Sequence, residues 1–347
     1  MTTPNSDPVC INKIDWLTIF PWLQLIQAAR LGVRLRVLVP SMIMVVCLQW
    51  STGRSLGGVM PTESLGDVWN TVGGIGMAPA IVTTVATIAV DPVGGPHRLQ
   101  GEIHILTLAV ILLIFFGTSI ARSAATEFCS FSRTGVISGA RFAAERSFST
   151  LTALLLSVLI VGIWFLPLML SGVLANAVGT TLVLGLWWLV AASTLAGVIA
   201  LVVCGSGLLL AFGAIGTDKC GGADALSRGI NYTLSHKLFT FWCLWFSSLV
   251  SFLTMAVTRA FVTAAADKLG RAVGFRDSST ADAAHSIAQA TIELMALMPS
   301  AVHLGTFFSA LTITYVLLRQ REDGIDLREI DGGQHVLSPP AQAVKQP

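Results

Sequence analysis

The chain has 347 residues, of which 54% are apolar and only 12% charged, with a formal net charge of +2. Charged residues usually make up about a quarter of a globular domain, so a water-facing surface for the whole chain is excluded and a bilayer must solvate much of it. The near-neutral balance, with no basic stripe interleaved with aromatics, also excludes a nucleic-acid partner.

Taken in chain order, residues 1–15 are polar, and the first apolar run comes too late and too interrupted for a cleavable leader, so the first true span is expected to drive insertion. Trp16 to Leu31 carries an apolar stripe broken by Pro21, Gln24 and Gln27 and reads as a helix lying in the headgroup plane. A span needs roughly 20 predominantly apolar residues. Six stretches meet that test: about 35–50, 103–121, 150–175, 182–215, 238–264 and 298–318. The second is free of charge from Ile105 to Gly117. The third contains Pro167, an expected kink. The fourth is overlong and contains Gly205-Ser206-Gly207, an expected break. Between the first two spans lies a long outer loop, in which Val72 to Val90 is apolar and glycine-rich and reads as interfacial or re-entrant. The single membrane domain runs over residues 16–331, and the polar tail 332–347 is expected to be disordered. The fold class is therefore all-α, a polytopic bundle of about six transmembrane helices with an N-terminal interfacial helix.

Orientation follows from basic residues, which favour the cytoplasmic side. With a cytoplasmic N-terminus, fifteen of the 21 Lys and Arg residues fall on inside segments. An even number of spans then leaves both termini cytoplasmic and every loop cysteine on the reducing side, as expected for a bacterial inner membrane. The six cysteines, Cys10, Cys47, Cys129, Cys204, Cys220 and Cys243, have neither metal-ligand spacing nor a disulfide pattern.

The two large cytoplasmic loops look alike. Each leaves a span, passes a turn, and follows an amphipathic helix into the next span, as a duplicated span–helix–span unit would. In the first, Arg141 and Glu145 stand one helical turn apart and are expected to pair. In the second, Asp224 is placed as an N-cap, with Arg228 one turn on. Together with Arg122 and Glu127, these four are the candidate structural or partner-docking charges.

Several segments resemble an uncharacterised family of planctomycete-type multi-pass membrane proteins. They are the run from Ser119 to Phe128 (SIARSAATEF), Gly139 to Ala143 (GARFA), Gly216-Thr217-Asp218 followed by Asp224 to Arg228 (DALSR), and Phe307 to Arg319 with Asp323-Gly324 after it. The likeness covers roughly Trp16 to Asp331. The segment Asp224 to Arg228 is also similar to a loop in the non-catalytic membrane domain attached to some glycerophosphodiester phosphodiesterases. The chain departs from the family pattern in a first cytoplasmic loop less acidic than expected. The resemblance implies this topology and brings no activity with it.

Ser206 in Cys-Gly-Ser-Gly on the fourth span and His303 on the sixth resemble the serine–histidine pair of rhomboid-type intramembrane proteases, where a glycine-rich serine loop gives close backbone approach and an oxyanion site. Against this stand Cys204 where that motif has glycine, the lack of an asparagine beside His104, and an expected placement of the two residues toward opposite faces of a membrane about 30 Å thick. HExxH, GxSxG and Walker signatures are absent, and the histidines never take metal-ligand spacing with a carboxylate. No cofactor or metal is expected. No Asp or Glu falls inside a span, which disfavours ion-coupled transport. What remains is a scaffold, assembly factor or transport accessory whose partners are the lipid bilayer and a protein at the cytoplasmic loops, with a passive pore as the alternative.

Overall fold

Apolar runs unbroken by charge have one way to satisfy their peptide groups in hydrocarbon, the intrahelical ladder. The computed structural model describes residues 21–51, 96–129, 135–178, 185, 187–274 and 281–324, and among these there are helices and no strand. A 3-10 turn at Pro21–Leu25 leads into α1 (Ile26–Gly32), α2 (Leu35–Ser51), α3 (Pro96–Cys129), α4 (Val136–Val178), α5 (Trp187–Asp218), α6 (Gly222–Ser235), α7 (Lys237–Gly274) and α8 (Ala281–Asp323). The all-α expectation holds. The Val72 to Val90 segment, residues 1–15 and the tail 332–347 lie outside the described residues.

Among the described residues five helices, α3, α4, α5, α7 and α8, are long and apolar enough to cross a membrane. The expected first span is shorter than that test requires. It reaches six only when Pro21–Gly32 and Leu35–Leu48, bent by 71° at the break, count as one span. The stretch assigned to the headgroup plane is thus partly built into the bundle: Leu25 and Ala28 are fully buried and pack with Ala310, Ile313 and Leu317 of α8. Both composition and length make the molecule a multi-pass membrane protein.

Two local expectations change. The fourth span runs unbroken through Gly205-Ser206-Gly207. There Gly207 serves close packing: a Cβ on it would stand 2.7 Å from Ile230 Cγ1, and one on Gly229 would stand 2.3 Å from the Gly207 carbonyl oxygen. The residue capping α6 is Gly221, in extended conformation and without a side-chain cap. Asp224 instead sits in the first turn, where its charge complements the helix dipole.

At the centre stands α8. In its most apolar window 94% of residues are buried by the protein, against 11% for α4, which turns Leu155, Leu159 and Leu166 outward. Buried hydroxyls along α8 are satisfied within the helix, Ser309 donating to the Gly305 carbonyl at 2.7 Å and Thr312 to that of Phe308 at 2.9 Å. Such back-bonding lets Ser and Thr line a membrane core without unpaired groups. It does not extend to Thr306, whose buried hydroxyl has no hydrogen-bond partner among the described residues.

Candidate functional site

The chain has two tyrosines, and both lie at one end of the bundle, ring centroids 5.7 Å apart. They belong to two helical stripes of i, i+4, i+8 spacing: Asp224, Arg228 and Tyr232 on α6, and Tyr315, Arg319 and Asp323 on α8. Residues so spaced share one helix face. The stripes meet on Asp218, the last residue of α5, whose side chain is only 7% exposed.

Asp218 accepts from Tyr315 Oη at 2.7 Å and from Arg228 Nη1 at 3.2 Å, and its second oxygen is ion-paired with Arg319. Arg228 also forks onto Asp224 at 3.1–3.2 Å. Tyr232 Oη donates to Asp323 Oδ2 at 2.8 Å, and Arg319 Nε lies 3.7 Å from the same carboxylate, too far for a hydrogen bond. His236, between α6 and α7, places Nε2 2.6 Å from Glu322. These contacts tie the ends of α5, α6, α7 and α8 together.

Local backbone explains why the charge gathers here. The last carbonyls of α5 have no intrahelical donors. Arg122 supplies one, Nη1 to the Gly216 carbonyl at 3.0 Å, while its guanidinium lies over Phe142 at 5.2 Å. Cations at a helix C-terminus also complement its dipole. The chain then leaves α5 through Lys219 in the left-handed region (φ 55), a strained conformation for a non-glycine residue.

Burial and charge shift the groups flanking this network. Cys220 is pushed up to about 11, by burial first and then by the Asp218 and Asp224 carboxylates. The Tyr232 phenol is raised above its usual range by burial, reinforced by its bond to Asp323. Arg228 loses some preference for its charge to burial and regains more from the Asp224 hydrogen bond, so it is held more firmly protonated than usual.

Of the six candidate charges, Asp224 and Arg228 enter the network and Arg122 braces it. Glu127 pairs with Arg34 of the α1–α2 break. Arg141 and Glu145 form the expected intrahelical pair at 3.1 Å, largely exposed and apart from the network. Sequence reasoning did not single out Asp218, Tyr315, Arg319, Tyr232 or Asp323 as a group. The signal was present in the two matching stripes of i, i+4, i+8 spacing.

Ser206 and His303 lie within about one helical turn of each other in depth, contrary to the expected separation. Phe212 packs edge-on against Phe308, centroids 5.4 Å apart, which sets parallel α5 and α8 in register. Gly213 abuts Thr312 and Tyr315 at backbone distance, so Ser206 lies level with about residue 306 and its depth differs from that of His303 by about one helical turn, ~5 Å. They are nonetheless engaged elsewhere. The Ser206 hydroxyl bonds to the Val202 and Val203 carbonyls of its own helix at 2.8 and 3.0 Å. His303 Nδ1 stands 2.8 Å from Ser251 Oγ, which is also 2.8 Å from the His303 carbonyl oxygen. A hydroxyl has one proton. Donated to the carbonyl, it leaves Nδ1–H as donor to Oγ, and a ring in that tautomer takes no proton from the serine. Ser251 and His303 are 0% and 1% exposed, so the pair is a core hydrogen bond. Among the described residues, no group of three or more His, Cys, Asp or Glu is placed to hold a metal.

Fold and site together define an all-helical, multi-pass membrane bundle closed at one end by an ion-pair network. The chain matches no protein-family model, no curated protein and no solved structure.

Proposed function

We propose that this chain is a non-enzymatic scaffold, assembly or transport-accessory protein of a bacterial inner membrane, multi-pass, with both termini cytoplasmic. The carrying observation is that its concentrated polar chemistry is consumed in holding helices together: Asp218 is saturated by Arg228, Arg319 and Tyr315. A carboxylate with three donors on it is poorly placed for proton or substrate chemistry. The burial of α8 supports a packed bundle over a passive pore, because a pore would leave a polar face of a central helix open. The basic excess in the segments joining α1, α4 and α7 supports the cytoplasmic assignment of the Asp218 end. The resemblance to planctomycete-type multi-pass proteins fits the same reading.

The test is affinity purification from native membranes in mild detergent. A stoichiometric partner that stays bound supports the scaffold reading. Solute flux through liposomes containing the purified chain alone sinks it in favour of the pore, and fluorophosphonate labelling of Ser206 or Ser251 sinks it in favour of a hydrolase. A C-terminal fluorescent-protein fusion that lights up, with an inactive C-terminal alkaline phosphatase fusion, supports the orientation.

A further inference from the structure

We infer that the Asp218 end carries a surface selective for anionic phospholipid headgroups, an inference that rests on the membrane reading above. Three observations lead there. The first is depth. Gly213 abuts Thr312 and Tyr315, and Ser247 bonds to Thr314 at 3.2 Å, so Ser247 lies level with Gly213. Trp242, five residues nearer the start of α7, therefore lies level with Asp218. Thr150 bonds to Thr118 at 2.9 Å and Gly216 packs on Ala121, which brings Arg146 and Phe148 to the same level within about a turn. Trp187 and Trp188 stand at the other end of α5, about 45 Å away along the helix. That distance matches a bilayer with its headgroup layers, about 40–45 Å, and exposed Trp is enriched at those two boundaries. The Asp218 level is then a headgroup level.

The second observation is charge. Among the described carboxylates at this end, Glu127 and Glu145 pair with Arg34 and Arg141, Asp218, Asp224 and Asp323 share Arg228 and Arg319, and Glu322 faces His236. Arg146, Lys219 and Lys237 join no ion pair among the described residues, and the surface is left with unneutralised positive charge.

The third observation discriminates the partner. Lys237 stands beside large apolar side chains turned outward, Leu238 next to it at 79% exposure and Phe241 one helical turn on at 65%, and Phe148, 73% exposed, lies near the same level on α4. A water-soluble acidic protein would meet the cations, but at this depth the apolar neighbours face acyl chains. A lipid layer takes both, the rings and Leu238 among the acyl chains and the cations among the phosphates.

The experiment incorporates the full chain into nanodiscs of phosphatidylcholine containing a minority of phosphatidylglycerol and measures, by mass spectrometry after gentle extraction, the ratio of the two lipids retained. The wild type should retain phosphatidylglycerol in excess of its share, and the enrichment should fall with salt. Removing charges with R146Q, K219N and K237Q should lower it about fivefold per charge, whereas K268Q at the opposite end should leave it unchanged. Asparagine at 219 tolerates the left-handed backbone, so the triple variant should keep the wild-type melting temperature in phosphatidylcholine alone. Retention in proportion to composition overturns the inference. So does a soluble polyglutamate peptide that displaces the lipid and binds lipid-free protein with equal affinity, which would assign the surface to an acidic protein. Failure to enter nanodiscs of either composition, with the chain soluble free of detergent, would overturn the membrane reading itself.

Discussion

Replacing Asp218 by Asn removes one negative charge while keeping the side chain's shape and an acceptor for Tyr315. The carboxylate is 7% exposed and its partner Arg319 15%, so this pair is screened little by water, whereas Arg228 at 38% exposure also keeps Asp224. Removing one partner of a buried pair costs about 3–5 kcal/mol, because the other charge stays buried and uncompensated. The Arg228 contact adds at most about 1 kcal/mol. Asp323, with Oδ2 3.7 Å from Arg319 Nε, recovers part of the loss. An expected cost of about 3 kcal/mol follows, at the lower edge of the range for buried pairs. Unfolding in mixed micelles by titrated denaturing detergent, followed by tryptophan fluorescence, would measure it. A cost within about 0.5 kcal/mol, typical of surface substitutions, would refute the reasoning. A second check separates buried charge from lost contact: Asp218→Leu combined with Arg319→Met should recover most of the loss, as apolar replacements of buried ion pairs often do. If the double variant is as unstable as Asp218→Asn, the uncompensated-charge account fails.

Glycine substitutions should divide sharply. Gly229→Ala and Gly207→Ala drive a methyl into the α5–α6 contact and should cost about 1–3 kcal/mol, while Gly205→Ala, with nothing within 4 Å of the new methyl, should be neutral or stabilising by up to about 1 kcal/mol. The same micelle titration reads both. Cys220, raised from 9.0 to about 11, should carry about a hundredfold less thiolate at pH 7 than an unperturbed thiol and alkylate correspondingly slowly. Since the folded thiol holds its proton more tightly, the stability this contributes is complete below about pH 9 and fades as pH rises toward 11. Iodoacetamide rates across that window, faster in Asp218→Asn, check the cause. Ser251→Ala should cost about 0.6 to 1.7 kcal/mol, the range for interhelical hydrogen bonds in membranes, whereas Ser206→Ala should change nothing. Thr306→Val, which deletes a buried hydroxyl with no partner among the described residues, should leave stability unchanged or raise it by up to about 1 kcal/mol.

What could be read in advance follows from periodicity. Uncharged runs such as that around Leu108 to Phe116 announce a span because hydrocarbon admits little else, and Arg141 with Glu145 announces a pair because helical spacing alone brings them together. The break expected at Gly205-Ser206-Gly207 failed for a related reason. Glycine lowers local helix propensity, but it also permits close approach, and only the partner helix decides between the two. Here Gly229 of α6 meets Gly207, and packing prevails. The Asp218 network stayed hidden because its members come from three helices and Asp218 sits at a helix end, where no periodic pattern marks it. The expected opposite placement of Ser206 and His303 rested on spans bounded at about 182–215 and 298–318, with Ser206 toward the end of one and His303 toward the start of the other. In the structure α5 runs from Trp187 to Asp218 and α8 begins at Ala281, well before the expected start of the sixth span, which moves both residues toward mid-depth.

The two kinds of contact on α6 have different consequences. The Gly207–Gly229 crossing sets how closely α6 approaches α5, but a glycine contact tolerates sliding along the helix axis. The bonds from Arg228 to Asp218 and from Tyr232 to Asp323 do not, because each is directional and each would be left with an unpaired, partly buried charge or phenol after a one-turn shift. Buried ion pairs add little net stability over apolar packing, so their value here is in register. They hold the outward polar face of α6, with Asp224, Ser227 and Asn231 exposed, in one orientation relative to the central helix. On the proposed scaffold reading, such a fixed face matters more than extra stability. The apolar variant of Asp218 and Arg319 should therefore fold well and still present α6 less uniformly, with broader resonances or faster hydrogen exchange over residues 222–235 than in the wild type.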